Sequence, residues 1–169
     1  MSDKKIYLCG FMASGKTTVG KALSKKLNID YVDTDELLVE TYGLGIPAIF
    51  EKYGEDYFRD LEYDIAKKTA NMKGGVVSTG GGMLTFDRNG EVLKKSGIII
   101  CLVRDFDSIY REIKSDKNRP LAQTKTKDEL REMYDSRILK YQKYADYIVD
   151  NDGSVDDCVK KIMSIIDES

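Results

Sequence analysis

Gly10-Phe11-Met12-Ala13-Ser14-Gly15-Lys16-Thr17 fits the spacing G-x-x-x-x-G-K-[ST], and it stands where that chemistry needs it. The apolar run Ile6-Tyr7-Leu8-Cys9 precedes it, and helical spacing through Val19, Ala22, Leu23 and Leu27 follows. Glycines let backbone N–H groups converge on phosphate oxygens, and the helix N-terminus adds partial positive charge. Lys16 is spaced to reach the outer phosphates and the Thr17 hydroxyl to bind Mg²⁺, with Ser14 and Thr18 as flanking phosphate contacts. The expected ligand is a nucleoside triphosphate.

Asp33-Thr34-Asp35 follows a second β-like stretch, Asp30-Tyr31-Val32-Asp33, at a place that opens beside the phosphate loop in a parallel α/β sheet. One carboxylate could hold Mg²⁺ through water while the other accepts a hydrogen bond from an alcohol, which suits phosphoryl transfer to a hydroxyl. The plainer reading makes Thr34 or Asp35 the cap of the next helix. Gly80-Gly81-Gly82 follows the strand candidate Gly75-Val76-Val77-Ser78 and permits close backbone approach to a ligand, or forms a simple turn. Arg59 lies at helical spacing from Glu55 and Glu62, so an ion pair is its ordinary role. Phe50 and Phe58 nearby fit a core better than a substrate wall. Arg119 belongs to residues 111–127, which carry six positive charges against two negative, the composition of a solvated loop or of a flap over phosphates. Arg137 stands on a helix whose charged face needs no further explanation.

These groups need a scaffold, and the hydropathy pattern supplies one. Strand candidates at Ile6–Cys9, 30–33, 75–78, 97–103 and Tyr147-Ile148-Val149 alternate with helical patterns. Such alternation implies a parallel sheet with helices on both faces. Ile98 to Val103 is continuously apolar, as a strand covered on both sides must be. Asp105 just beyond it is a helix cap. A helical excursion from about 46 to 71 and a polar stretch from 115 to 127 read as insertions within one domain.

Composition narrows the function further. The 169 residues carry 27 Lys+Arg against 29 Asp+Glu, which leaves no basic footprint for nucleic acid. No His is present, so imidazole acid–base chemistry and the commonest zinc ligand are absent. The three Cys fall in or beside apolar runs, as buried free thiols in a reducing compartment would. No apolar run approaches the length of a membrane span. The expectation is a cytoplasmic protein. N-K-x-D is missing, which argues against a guanine-specific switch, and no Asp-Glu pair follows the long apolar strand as in motor ATPases.

Taken together, the phosphate loop, Val32-Asp33-Thr34-Asp35, Ile46-Pro47-Ala48-Ile49-Phe50, Phe58-Arg59-Asp60-Leu61-Glu62, Thr79-Gly80-Gly81-Gly82, Arg119-Pro120-Leu121 and the helix carrying Arg137 resemble shikimate kinase in order and spacing. The resemblance implies an α/β three-layer P-loop kinase fold with a five-stranded parallel sheet and helices on both faces. It implies a single domain, 1–169, with a helical substrate-binding insertion at about 34–71 and a lid at about 112–127. The implied reaction is ATP-dependent phosphorylation of the 3-hydroxyl of shikimate, giving shikimate 3-phosphate and ADP on the route to chorismate and aromatic amino acids.

By the same resemblance Lys16 and Arg119 contact the transferring phosphate, Thr17 and Asp33 hold Mg²⁺ and its water shell, and Asp35 positions and deprotonates the hydroxyl. Arg59 and Arg137 clamp the carboxylate, with Gly80, Gly81 and Gly82 bounding the acceptor. Ala13, Ser14, Gly15, Lys16, Thr17, Thr18, Arg119 and Ser154 contact ATP. Shikimate and ATP are the implied partners of a monomer, with neither nucleic acid nor membrane. A small anion bearing hydroxyls needs fixed positive charge and a proton acceptor, which two arginines and an aspartate provide.

Two positions depart from the family pattern. Ala13 replaces a common Gly, which is tolerated if its φ is negative, and Ser154 replaces a basic residue near the adenine. Arg111 and Lys114 are alternatives for stacking on the base. A gluconate-type kinase on the same scaffold and a nucleotide-dependent binding module without transfer are the competing functions.

Overall fold

The computed structural model describes residues 5–117 and 120–169. Its strands are β1 (Lys5–Cys9), β2 (Tyr31–Asp33), β3 (Gly75–Ser78), β4 (Ile98–Val103) and β5 (Tyr147–Asp150), and they form one parallel sheet in the order β2-β3-β1-β4-β5.

Burial on both faces explains the unbroken apolar strands. Ile6 and Leu8 of β1, with Ile100 and Leu102 of β4, face a core completed by α1 (Lys16–Leu27) and α9 (Val155–Glu168). The alternate residues Tyr7, Cys9, Ile99 and Cys101 face the opposite core. That second core is closed by α4 (Glu55–Ala70), α5 (Asp87–Ser96), α6 (Phe106–Ser115) and α8 (Lys127–Tyr144). The layered α/β expectation is met. Cys9, Cys101 and Cys158 are buried free thiols, as expected. Among the described residues, no helix is long and apolar enough to cross a membrane.

The chain leaves β1 for β2 on one side and later fills β4 on the other, so β1 lies at the point where the strand order reverses. Crevices beyond the carboxyl ends of strands at such a point are where ligands bind. Between β2 and β3 the chain forms α2 (Thr34–Tyr42), the helix expected after Asp33, then α3 (Ile46–Tyr53) and α4, which fall in the helical excursion expected from about 46 to 71. Gly43, at φ 73°, ends α2, and Pro47 opens α3. Phe58 is 4% exposed and belongs to the core, whereas Phe50 is 37% exposed with its ring 4.6 Å away. The core expectation therefore holds for Phe58 alone.

Asp105 caps α6 by accepting from the Ser108 N–H, as its place after β4 suggests. The short helix α7 (Pro120–Thr124) is tied back to α6: the Gln123 side-chain amide donates to the carbonyls of Ile113, Lys114 and Asp116.

Candidate active site

The phosphate loop joins β1 to α1 without a side-chain cap. Gly15 holds the N-cap position at φ 96°, and α1 has no acidic residue in its first turn. The first N–H groups of the helix thus point outward with positive partial charge, an anion site made of backbone. The Lys16 ammonium lies across the loop, donating to the Gly10 carbonyl at 2.5 Å and the Phe11 carbonyl at 3.4 Å. Ser14 is buried, and its hydroxyl has no hydrogen-bond partner among the described residues. Ala13 has φ 61°, so the condition of a negative φ is not met. A left-handed non-glycine residue costs roughly 1–2 kcal/mol. An N–H of Arg104 meets this residue, donating to the Ala13 carbonyl at 2.9 Å.

A cleft of about 290 Å³ runs along the loop. Met12 to Thr18 form one wall, and Asp33, Asp35, Gly80 and Gly81 stand across it. The two aspartates have different tasks. Asp33, not Thr34 or Asp35, caps α2: its Oδ1 accepts from the N–H groups of Asp35 and Glu36 at 2.9 and 3.1 Å. The capping expectation fails because α2 begins at Thr34, directly after β2 ends at Asp33, so the last strand residue is itself the cap. Thr34 turns inward instead, its buried hydroxyl accepting from the Gly80 N–H at 2.8 Å. Asp35 is thereby spared from capping.

The three glycines owe their identity to space. None has a positive φ. A Cβ on Gly80 would sit 2.5 Å from Asp35 Oδ1, one on Gly81 would sit 3.3 Å from Arg137 Nη1, and one on Gly82 would sit 2.5 Å from Arg59 Nη1. Three charged side chains from β2–α2, α8 and α4 therefore converge on three consecutive peptides after β3. The Tyr141 hydroxyl, one turn beyond Arg137, pins the same loop by donating to the Gly81 carbonyl at 2.6 Å. Arg59, Arg137 and Gly82 do not wall the phosphate cleft itself; they extend the site along the glycine loop away from it.

Arg59 also makes the ion pairs its spacing suggests, to Glu62 at 3.1 Å and Glu55 at 3.5 Å, and it packs between the rings of Phe58 and Phe86. Its Nε is buried without a partner among the described residues. Burial pushes the Asp35 carboxyl above its ordinary value; Asp33 adds to the shift, and Lys16 and Arg59 oppose it. Burial likewise raises Glu62, against the pull of Arg59. A carboxyl raised above its ordinary value beside a phosphate cleft is a better proton acceptor toward a hydroxyl than an exposed aspartate.

At the far end of the loop a second cleft of about 200 Å³ is bounded by Gly15, Thr18, Asn151 and Gly153, and it shares Arg104 and Glu112 with the first. The Asn151 amide donates to the Ser14 carbonyl at 2.8 Å, joining β5 to the loop. Ser154 is occupied as the cap of α9, accepting from the Asp157 N–H. Lys114 donates to the carbonyls of Ala122 and Lys125, and Arg111 borders a separate surface depression with Ser108 and Ser115. Arg119 lies outside the described residues. Thr34, Tyr141, Asn151 and Arg104 are the residues that sequence reasoning missed. The available signal for Arg104 was a charge at the carboxyl end of a central strand.

Among the described residues, no cluster of three or more His, Cys, Asp or Glu is gathered to hold a metal ion. The Thr17 hydroxyl and the Asp33 carboxylate, both on the cleft, are oxygen donors that suit Mg²⁺ arriving with nucleotide phosphates.

Comparison with known proteins shows the family. The family model for shikimate kinase matches residues 12–167. A shikimate kinase of Thermodesulfovibrio yellowstonii is 42% identical over 151 residues, which cover 89% of this chain and 87% of that protein. The solved shikimate kinase of Acinetobacter baumannii, in complex with shikimate, superposes with a TM-score of 0.89 at 36% identity, covering 96% of this chain and 92% of the other. That of Aquifex aeolicus gives 0.85 at 37% identity, covering 96% of each chain. A chain with this sheet, this loop and these relatives belongs to the shikimate kinase family.

Proposed function

We propose that this chain performs its family's reaction, ATP-dependent phosphorylation of shikimate, with Asp35, Arg59 and Arg137 around the acceptor and the loop from Ala13 to Thr18 around the nucleotide. The observation that carries this reading is the convergence of those three side chains on Gly80, Gly81 and Gly82, next to the phosphate cleft. Arg59 and Arg137 supply the positive charge that a carboxylate needs, and the peptides of the glycine loop bound the ring hydroxyls. Asp35, held off its own helix end by the Asp33 cap, accepts the proton of the 3-hydroxyl as that oxygen attacks the terminal phosphorus.

Lys16 shifts from its loop carbonyls to the transferring phosphate, and the N–H groups opening α1 hold the other phosphate oxygens. Thr17 and Asp33 would hold Mg²⁺, which when bound neutralises charge on the outer phosphates. Arg119 is assigned to the same phosphates. Ser14 and Thr18 line the loop side of the nucleotide, and Ser154, the cap of α9, is assigned to its base end beside Gly153 and Val155 of the second cleft. Residues of about 34–71 serve as the acceptor-binding insertion and those of about 112–127 as the lid of one domain, working as a cytoplasmic monomer.

The test is release of ADP by the purified chain with Mg²⁺-ATP and a panel of acceptors. Shikimate is expected to be turned over, and gluconate and nucleoside monophosphates are not. ADP release that does not depend on shikimate would overturn the assignment.

A further inference from the structure

Three depressions meet at one ion pair. Arg104 and Glu112 border the phosphate cleft, the cleft at Asn151 and the outer surface of α6. A nucleotide whose phosphates lie on the loop and whose nucleoside lies at Asn151 must pass this point. We propose that Arg104 is a nucleotide-binding residue, its guanidinium contacting the nucleoside half of the bound triphosphate where the two clefts join. The inference rests on reading the loop as the nucleotide site.

Several contacts fix the guanidinium there. Its Nη1 donates to the Ala13 carbonyl at 2.9 Å and pairs with Glu112 Oε2 at 2.5 Å. Its own carbonyl accepts from the Tyr134 hydroxyl at 3.0 Å, and the next N–H, that of Asp105, donates to Asp152 at 2.8 Å. The root of the side chain is thus anchored to α8 and to the β5–α9 loop. Among the described residues, Nε and Nη2 carry no hydrogen bond, and the side chain is 28% exposed. A planar cation held at its root, with donors to spare, suits the ring oxygens or the face of a nucleoside. Glu112 pairs with the guanidinium through Nη1, which leaves Nε and Nη2 for a ligand.

Arg104 touches Ala13 as well, so a purely supporting role for the strained loop must be separated from ligand contact. Inorganic tripolyphosphate fills the phosphate cleft and lacks the nucleoside. Calorimetric binding of Mg²⁺-ATP and Mg²⁺-tripolyphosphate to the whole chain, with no acceptor present, makes the distinction. Arg104→Ala is expected to weaken ATP roughly 10- to 150-fold, the loss of a charge-assisted contact, and tripolyphosphate less than about threefold. Equal losses for both ligands, or no loss for either, would overturn the proposal. Adding Ala13→Gly to Arg104→Ala relieves the loop directly, so recovery of ATP affinity in the double variant would also overturn it. Failure of the unaltered chain to bind ATP would instead remove the nucleotide reading itself.

Discussion

Gly82→Ala separates the chemistry of the glycine loop from its folding. Gly82 has φ −92° and ψ −10°, values that alanine adopts freely, so the backbone gives no reason for glycine here. The added methyl would sit 2.5 Å from Arg59 Nη1, and ordinary contact begins near 3.4 Å, so the guanidinium must retreat by about 1 Å. Retreat is possible because the contact is the far end of a long side chain. The fold should therefore keep its stability or gain about 0.4–1 kcal/mol from the less flexible unfolded chain. Binding should not survive so well. A displaced charge-assisted contact costs about 1.5–3 kcal/mol, a roughly 10- to 150-fold rise in KM for shikimate. Steady-state kinetics with shikimate varied at saturating ATP, then the reverse, would show the split, with KM for ATP unchanged. A KM for shikimate within twofold of the unaltered chain, at equal Tm, would refute the placement of Arg59 at the acceptor.

Other perturbations reach different parts of the site. Asp35→Asn should lower kcat by about 10²–10⁴ if the carboxylate accepts the proton, while Tm rises, because a buried charge that destabilises the fold is removed; an unchanged kcat removes the role. The raised carboxyl of Asp35 makes kcat fall as pH drops through a value above that of an ordinary aspartate. The stability sign is opposite: the folded state holds this proton more tightly than the unfolded chain, so stability is greatest below the unfolded value and declines as pH rises through the folded one. Thermal melts against pH for the Asp35→Asn and unaltered chains would show that slope only where Asp35 is present. Thr34→Val strands the Gly80 N–H and should cost about 1–3 kcal/mol by denaturant melt, whereas Thr34→Ser retains the acceptor and should cost much less; equal losses would contradict the bond. Ala13→Gly relieves a left-handed alanine and should leave stability level or raise it by up to about 1 kcal/mol, and a loss beyond that would contradict the strain.

Some of this is written in local sequence and some only in the assembled sheet. Ile98 to Val103 declares a strand covered on both faces because the residues at 99 and 101 meet one core and those at 100 and 102 the other. Gly15, Lys16 and Thr17 are legible because their chemistry comes from the loop itself. The cap of α2 is not, since Asp33, Thr34 and Asp35 are all capable caps and only the last residue of β2 decides between them. The triple glycine signals close approach, yet not what approaches: the neighbours come from α2, α4 and α8, far apart in sequence. Arg104 was hidden for the same reason, as its partners lie on the phosphate loop and α6. The sign of φ at Ala13 is a property of the folded loop that alanine's identity argues against.

Structure determination of the chain with ADP and shikimate tests the central geometry most directly. The carboxylate of shikimate is expected between Arg59 and Arg137, with the 3-hydroxyl within hydrogen-bond reach of Asp35 and aimed at the phosphate loop. A bound shikimate whose carboxylate contacts neither arginine, or whose 3-hydroxyl faces away from Asp35, would contradict it.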